Sequence, residues 1–419
     1  MEVKVIYMLT TVFYPSIGGR ESHIHNISKE LIKRGYKVKI IHPIIGLDRT
    51  TVYELDGIEV HTVAIGDESN QKKYERYKKK SKGVLGYISG YLRKNYYNQF
   101  MSIIMNYIGT DVEKNKYTAE QIMIHQHDFI SGYKLSKALG KKYTQIFTNH
   151  TGEFLFLKKL PFNKVVIKKL TKHFDYIISP SEELNQFEGI RSKDTYCYMP
   201  NGVDTSIFKS VEQRELDRLR KKYNLSIQGT IILCPRRWAP TKGIIYLVKA
   251  IDILVNQYEV NDFQVVFVGN DYMDYPEYKA EIESWIKDTS IEKYVKCLGN
   301  LAYEKMSEVT QLTDIVAIPS LMEAVSLSML ESMACGKLVI GSNTGGIPEV
   351  IQDGKNGFLT IKGDEQDIAD KLKYIIEHKD DLKSIQEEAI KTVQRKYTWE
   401  VITNQIEEIY KEVWSRKYV

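Results

Sequence analysis

Long hydrophobic runs are missing from this 419-residue chain. No stretch approaches the roughly 18 uncharged apolar residues that would cross a bilayer. The start, Met1-Glu-Val-Lys-Val-Ile-Tyr, lacks the basic lead, apolar run and small-residue cleavage site of a signal peptide, so a cytoplasmic protein is expected. Cysteine is scarce: Cys197, Cys234, Cys297 and Cys335 lie far apart without paired spacing, which argues against a zinc knot or a disulfide framework. Asp-x-Asp and His-Glu-x-x-His do not occur, and neither do the Gly-x-Gly-x-x-Gly fingerprint or a Walker loop. No metal site is therefore expected. There is no repeat of about 20–50 residues and no low-complexity tract.

What remains is a globular composition, 43% hydrophobic and 27% charged, in a chain long enough for two domains. The net charge of +5 conceals an asymmetry. Residues 1–200 carry 31 basic and 20 acidic side chains, residues 201–419 carry 28 and 34. One half is thus suited to an anionic partner and the other is not.

The first forty residues read as strand, glycine loop, helix, glycine stop and strand. Val3–Leu9 is a β-branched run, Gly18-Gly19 opens the loop, Glu21–Arg34 has apolar Ile24, Ile27 and Leu31 at helical spacing, and Gly35 ends it. This is a parallel βαβ unit. Short apolar runs recur at Gln121–His125, Gln145–Asn149 and Tyr176–Ser179. They resume after Asn201-Gly202 at Thr230–Cys234, Gln264–Val268, Val295–Leu298, Ile315–Ile318 and Leu338–Gly341. The pattern predicts an α/β protein of two Rossmann-like, doubly wound domains facing across a cleft, with a boundary near 195–210 and ligands beyond the carboxyl ends of the strands.

Three clusters sit at such ends. The loop Pro15-Ser-Ile-Gly18-Gly19-Arg20-Glu21 lets backbone approach a ligand and leads into free helix amides, which favour an anion. Arg236-Arg237-Trp-Ala-Pro-Thr-Lys242-Gly243 follows a strand directly, and arginine and lysine there can hold a diphosphate. Pro319-Ser320-Leu-Met-Glu323-Ala324-Val325-Ser326-Leu327 leads into a helix carrying Glu331, a carboxylate among apolar neighbours that suits a ribose diol. Each could also be an ordinary turn, a solvated charge cluster or an acid complementing a helix dipole.

In order and spacing, Gly18-Gly19-x-Glu21, Pro200-Asn-Gly-Val-Asp204, Arg237 with Lys242-Gly243, Pro319-Ser320, Glu323, Glu331, Gly345-Gly346-Ile-Pro348-Glu349 and Gly354-x-Asn-Gly357 resemble the family 4 glycosyltransferases of GT-B fold. The resemblance covers about residues 3 to 413. It implies an acceptor-binding domain over residues 1–200, a nucleotide-sugar domain over 201–395, and a final helix within 396–419 that returns to the first domain. It implies retention of anomeric configuration from a nucleotide-sugar donor; a UDP- or GDP-sugar is expected, used without a metal or other cofactor, since cations and amides can stabilise the leaving diphosphate. Arg237 and Lys242 would bind the diphosphate and stabilise the leaving nucleotide, and Glu331 would hold the ribose. Glu323 and the amides of Ala324, Val325, Ser326 and Leu327 would contact the sugar, with Gly18 and Gly19 against the diphosphate. His150, in Thr148-Asn149-His150, would support the oxocarbenium-like transition state. Arg236 stands where the family usually has glycine, so which arginine meets the phosphate stays open. Ser326 replaces a usual glycine.

The basic half has two dense stretches. Lys72–Lys94 has nine basic residues and one acid among four tyrosines, and Lys158–Lys172 has six lysines, no acid and six interleaved apolar residues. Such stretches suit an anionic membrane surface, at about 1 kcal/mol per cation; no nucleic-acid motif accompanies them. The expectation is transfer to a lipid-linked or glycan acceptor in cell-surface polysaccharide or glycolipid synthesis. A soluble transferase or phosphorylase acting on a small sugar, or a non-catalytic membrane- or nucleic-acid-binding protein, are the alternatives.

Overall fold

The computed structural model describes residues 3–14, 19–45, 47–65, 101–127, 132–150, 153–182, 184–269, 275–323 and 325–419. The chain divides into two compact units, Met1–Met199 with Ile402–Val419, and Pro200–Val401. Lys72–Lys94, Gly18 and Ala324 lie outside the described residues.

The first unit is built on eight strands: β1 (Val5–Leu9), β2 (Lys37–Ile45), β3 (Thr51–Leu55), β4 (Ile58–Ile65), β5 (Ile122–Gln126), β6 (Thr144–Thr148), β7 (Tyr176–Ser179) and β8 (Tyr196–Tyr198). Their order is β3-β4-β2-β1-β5-β6-β7-β8, parallel except for the β3–β4 hairpin. β1, β5 and β6 are buried along their whole length, as strands covered on both faces must be. One face packs Tyr7, Ile124 and Leu135 against a helix through residues 101–115, and a second cluster joins Phe147, Phe154, Ile167 and Phe187. Lys39, 2% exposed, is neutralised by Asp111 at 2.7 Å and Glu59 at 3.2 Å. The hairpin turns on Asp56 (φ 51°) and Gly57 (φ 80°), a primed turn matched to strand twist.

The second unit holds β9 (Thr230–Pro235), β10 (Phe263–Val268), β11 (Val295–Gly299), β12 (Ile315–Ile318), β13 (Leu338–Ser342) and β14 (Phe358–Thr360), all parallel, in the order β11-β10-β9-β12-β13-β14. This is the dinucleotide-fold order, whose reversal between β9 and β12 opens a crevice at the carboxyl ends of those two strands. The first sheet reverses in the same way between β1 and β5.

The final helix, Trp399–Tyr418, begins in the second unit, where Trp399 lies so close to Gly202 that a Cβ there would stand 2.7 Å from its ring. From Ile402 onward it belongs to the first unit, burying Ile402, Ile406, Tyr410 and Val413 and placing the Trp414 indole N–H 2.9 Å from the Glu120 carbonyl.

Candidate active site

In the second unit, the loops after β9 and β12 interlock at the crevice. The amides of Leu321 and Met322 both donate to the Thr241 carbonyl, at 2.9 and 3.2 Å. Three glycines make this approach possible. A Cβ on Gly243 (φ 64°) would stand 1.9 Å from the Pro319 oxygen, and one on Gly345 (φ 54°) 1.7 Å from the Glu323 oxygen. Gly269 allows the Arg236 carbonyl to pass where a Cβ would sit 2.2 Å away. Sequence reasoning passed over Gly269, because a lone glycine after a strand carries no mark of what crosses it.

The side chains converge on Glu323. Its Oε2 lies 2.9 Å from Arg236 Nη2, 2.9 Å from Lys242 Nζ and 3.0 Å from the donating Ser320 hydroxyl. Burial works to raise the Glu323 carboxyl, but the two cations overcome it and hold the group below the ordinary carboxylate range. Burial depresses the Lys242 ammonium, while Glu323 opposes that shift. Arg236 also donates to Ser326 Oγ at 2.7 Å. Its Nε is buried without a hydrogen-bond partner among the described residues. Of the two neighbouring arginines it is therefore Arg236, six residues before Lys242, that enters the ion cluster. Arg237 points to solvent, close enough to Lys242 to lower its pKa. The sequence leaves open which of the two arginines meets the phosphate. The Arg236 amide donates to the Cys234 carbonyl at 3.0 Å as the chain turns after β9, and Arg236 is buried while Arg237 beside it is exposed.

Ser326 caps the helix Leu327–Ala334, accepting from the Met329 amide at 3.4 Å. Val325 is buried and Leu327 partly so. Glu331 lies one turn on, buried, and burial pushes its carboxyl up to about 7 against the pull of Arg236 and a hydrogen bond with Tyr303. Thus one carboxylate, ahead of this helix, is held ionised and a second, within it, is raised toward neutrality.

In the first unit the reversal point gathers histidines. His127 follows β5, its amide extending the ladder to the Leu9 carbonyl at 2.9 Å, and His150 follows β6. His23 comes from the helix Gly19–Lys33, whose first residue is exposed while Glu21 pairs with Arg20 at 2.8 Å. His127 Nδ1 and His150 Nε2 are 3.3 Å apart, and the His23 and His150 rings meet edge to face at 4.6 Å. Behind them His125 stacks on His127 at 4.3 Å and is pinned by the Tyr410 hydroxyl at 2.6 Å and Thr148 Oγ1 at 2.7 Å. Burial above all, then the neighbouring rings, holds His127 and His150 well below their ordinary values and takes His125 down to about 3. All three are neutral at pH 7. His25 is elsewhere, paired with Asp56 at 2.9 Å.

Residues 216–392 match the family described as glycosyl transferases group 1. Across 411 residues, 97% of this chain and 98% of the other, the sequence is 24% identical to an uncharacterized glycosyltransferase of Methanocaldococcus jannaschii. Segment 216–392 of this chain belongs to the group 1 family, and the chain has the GT-B fold of these glycosyltransferases. It is also 24% identical over 427 residues to the phosphatidylinositol N-acetylglucosaminyltransferase GPI3 subunit of Saccharomyces cerevisiae, covering 98% of this chain and 83% of that protein. Among solved structures, sucrose-phosphate synthase of Thermosynechococcus elongatus superposes with a TM-score of 0.75 at 18% identity, over 99% of this chain and all of the other. The matched segment contains Arg236, Lys242, Glu323 and Glu331.

Proposed function

We propose that the enzyme is a retaining, metal-independent glycosyltransferase that moves a sugar from a UDP- or GDP-sugar to a hydroxyl of a lipid-linked or glycan acceptor at an anionic membrane surface. The observation that carries the donor reading is the Arg236–Glu323–Lys242 cluster at the β9/β12 crevice. Two cations held in a partly buried site are preorganised for the charge that develops on a departing diphosphate. In this reading, the diphosphate takes over Arg236 and Lys242, with Arg237 closing from solvent, and Glu323 turns to the sugar hydroxyls. Glu331 accepts from the ribose diol. The bond from the anomeric carbon to the phosphate oxygen breaks, the acceptor oxygen bonds to that carbon, and its proton passes to the departing phosphate. His150 supports charge on the sugar through a neutral imidazole.

A second observation favours a membrane-borne acceptor. Phe162, held at φ 58° ahead of the helix Asn163–Thr171, is 82% exposed, and Val165 is 67% exposed. Lys159, Lys164, Lys168, Lys169 and Lys172 are exposed along the same stretch, while Ile167 and Thr171 are buried and anchor the helix to the unit. Exposed apolar side chains interleaved in sequence with exposed lysines fit an anionic headgroup layer. Among the described residues no helix is long and apolar enough to cross a membrane. The yeast relative's name carries a phosphatidylinositol acceptor, and a similar kind of acceptor is proposed here.

Thermal melts with UDP, GDP, ADP and CDP, each with and without EDTA, test the donor reading. A nucleotide at 100 times its dissociation constant adds about 2.7 kcal/mol. One nucleotide should shift the melt, equally with EDTA; a shift from none of them refutes the assignment. Sedimentation with phosphatidylglycerol vesicles tests the surface, and Phe162→Asp with Val165→Asp should abolish it. Binding unchanged in that double variant would remove the membrane from the proposal.

A further inference from the structure

We propose that His23, His127 and His150 form a binding site for one late first-row divalent ion, with Zn2+ the best fit and water completing its coordination. The three ring atoms involved lie within 4.8 Å of one another. They come from three separate elements, the helix Gly19–Lys33 and the carboxyl ends of β5 and β6. A tetrahedral zinc with metal–nitrogen bonds of about 2.0–2.1 Å needs its nitrogens about 3.3–3.4 Å apart. The His127–His150 separation of 3.3 Å already meets that edge. His23, edge-on to both rings with centroids at 5.8 and 4.6 Å, reaches the third corner by a turn of its own ring. An all-imidazole set selects zinc, copper, nickel or cobalt over magnesium or calcium, which demand oxygen.

The surroundings hold the ligands in place. His127 offers Nδ1 to the cluster while its Nε2 rests 3.5 Å from Met8 Sδ, and His125 stacks on its face. His125 is fixed at both nitrogens, so the stack cannot rotate freely. Such outer partners set ring orientation in metal sites. The opposing influence is Arg20, whose charge disfavours a cation at His127 and His150; its guanidinium is paired with Glu21 at 2.8 Å. The 3.3 Å contact also serves as a hydrogen bond when one ring donates, so the ion displaces that hydrogen bond and the donating ring carries its proton on its other nitrogen instead. The functional consequence rests on the role proposed above for His150. A metal-bound nitrogen cannot hydrogen-bond a sugar, so the ion is an inhibitor of transfer and not its cofactor.

The test uses the full, untagged chain and zinc alone. Competition against a chromophoric chelator should give one ion per chain. Co2+ in its place should show the intense visible bands of a four-coordinate site. His23→Gln and His127→Gln should each weaken zinc by more than the roughly 10–100-fold that losing an outer partner costs. His25→Gln should bind as the parent does. Zinc binding that survives His23→Gln, or a cobalt spectrum of octahedral intensity, overturns the site. Should His127→Gln fail to fold by its melt, His23→Gln and the cobalt spectrum decide alone. None of these readouts requires a sugar donor, so they fail or succeed independently of the transferase reading. Transfer assayed with and without Zn2+ then addresses the consequence, and unimpaired transfer by the zinc-loaded chain overturns inhibition.

Discussion

Glu323→Gln isolates the electrostatics of the donor crevice. Glutamine keeps the shape and one acceptor oxygen but removes the charge that neutralises Arg236 and Lys242, whose side chains are 8% and 20% exposed. Removing one partner of a buried pair costs about 3–5 kcal/mol, because a charge is left without compensation. The retained acceptor and the partial exposure of Lys242 place the expectation at the lower end, about 3 kcal/mol. Trp238, Trp285 and Trp399 lie in the second unit and Trp414 in the first, so tryptophan fluorescence reports mainly on the affected unit. With a urea slope of about 2–3 kcal/mol per molar, the midpoint should fall by roughly 1 M. The pH dependence has a definite sign. The folded Glu323 pKa lies below its ordinary 4.5, so its contribution is complete above that value and is lost as pH falls through the folded value. The gap between the parent and the variant should therefore be constant above about pH 5 and close in more acidic solution. A nucleoside diphosphate, which restores the missing negative charge, should stabilise the variant more than the parent. A variant whose midpoint stays within about 0.2 M of the parent's at pH 7 would refute the argument that Glu323 compensates these cations.

Glu331→Gln should behave in the opposite sense. Its folded pKa of about 7 exceeds the ordinary 4.5, so the parent loses stability as pH rises between those values. The neutral variant should then be more stable at pH 8, by on the order of 3 kcal/mol, and equal at pH 4; denaturant melts at the two pH values check it. The same burial predicts that nucleotide binding to the parent releases a proton near pH 7, seen as a buffer-dependent enthalpy in calorimetry, since a ribose diol favours the ionised carboxylate. Gly345→Ala, at φ 54° with the Glu323 oxygen 1.7 Å from the new Cβ, should cost at least about 1–3 kcal/mol and weaken nucleotide affinity in parallel. Unchanged affinity would mean that Gly345 does not set the position of the Glu323 loop.

Much of this was legible in the residues because both units repeat one local pattern. Parallel strands buried on both faces read as short β-branched runs, and each is followed by a loop and an amphipathic segment. The crevice motifs were visible because strand ends are where such sheets hold ligands. The β3–β4 hairpin was missed although Asp56-Gly57 marks it, since β3 lies almost wholly exposed and shows no apolar alternation. The choice between Arg236 and Arg237 depends on how the chain turns after β9, a tertiary matter. Along the sequence the histidines lie in pairs, at 23/25 and 125/127, but the structure assembles them across elements. Strand order, with β1 beside β5 and β5 beside β6, brings together residues more than a hundred positions apart.

The split membership of the final helix has a consequence for biosynthesis. The first unit is interrupted by Pro200–Val401, so the segment that completes it is translated only after all of the second unit. At about 5–20 residues per second, those roughly 200 residues occupy the ribosome for about 10–40 s. Throughout that interval the hydroxyl that fixes His125 has not been made, and the surface destined for Ile402, Ile406 and Val413 stays open to water or to chaperones. The nascent chain must therefore hold a nearly finished domain in waiting while its neighbour is built.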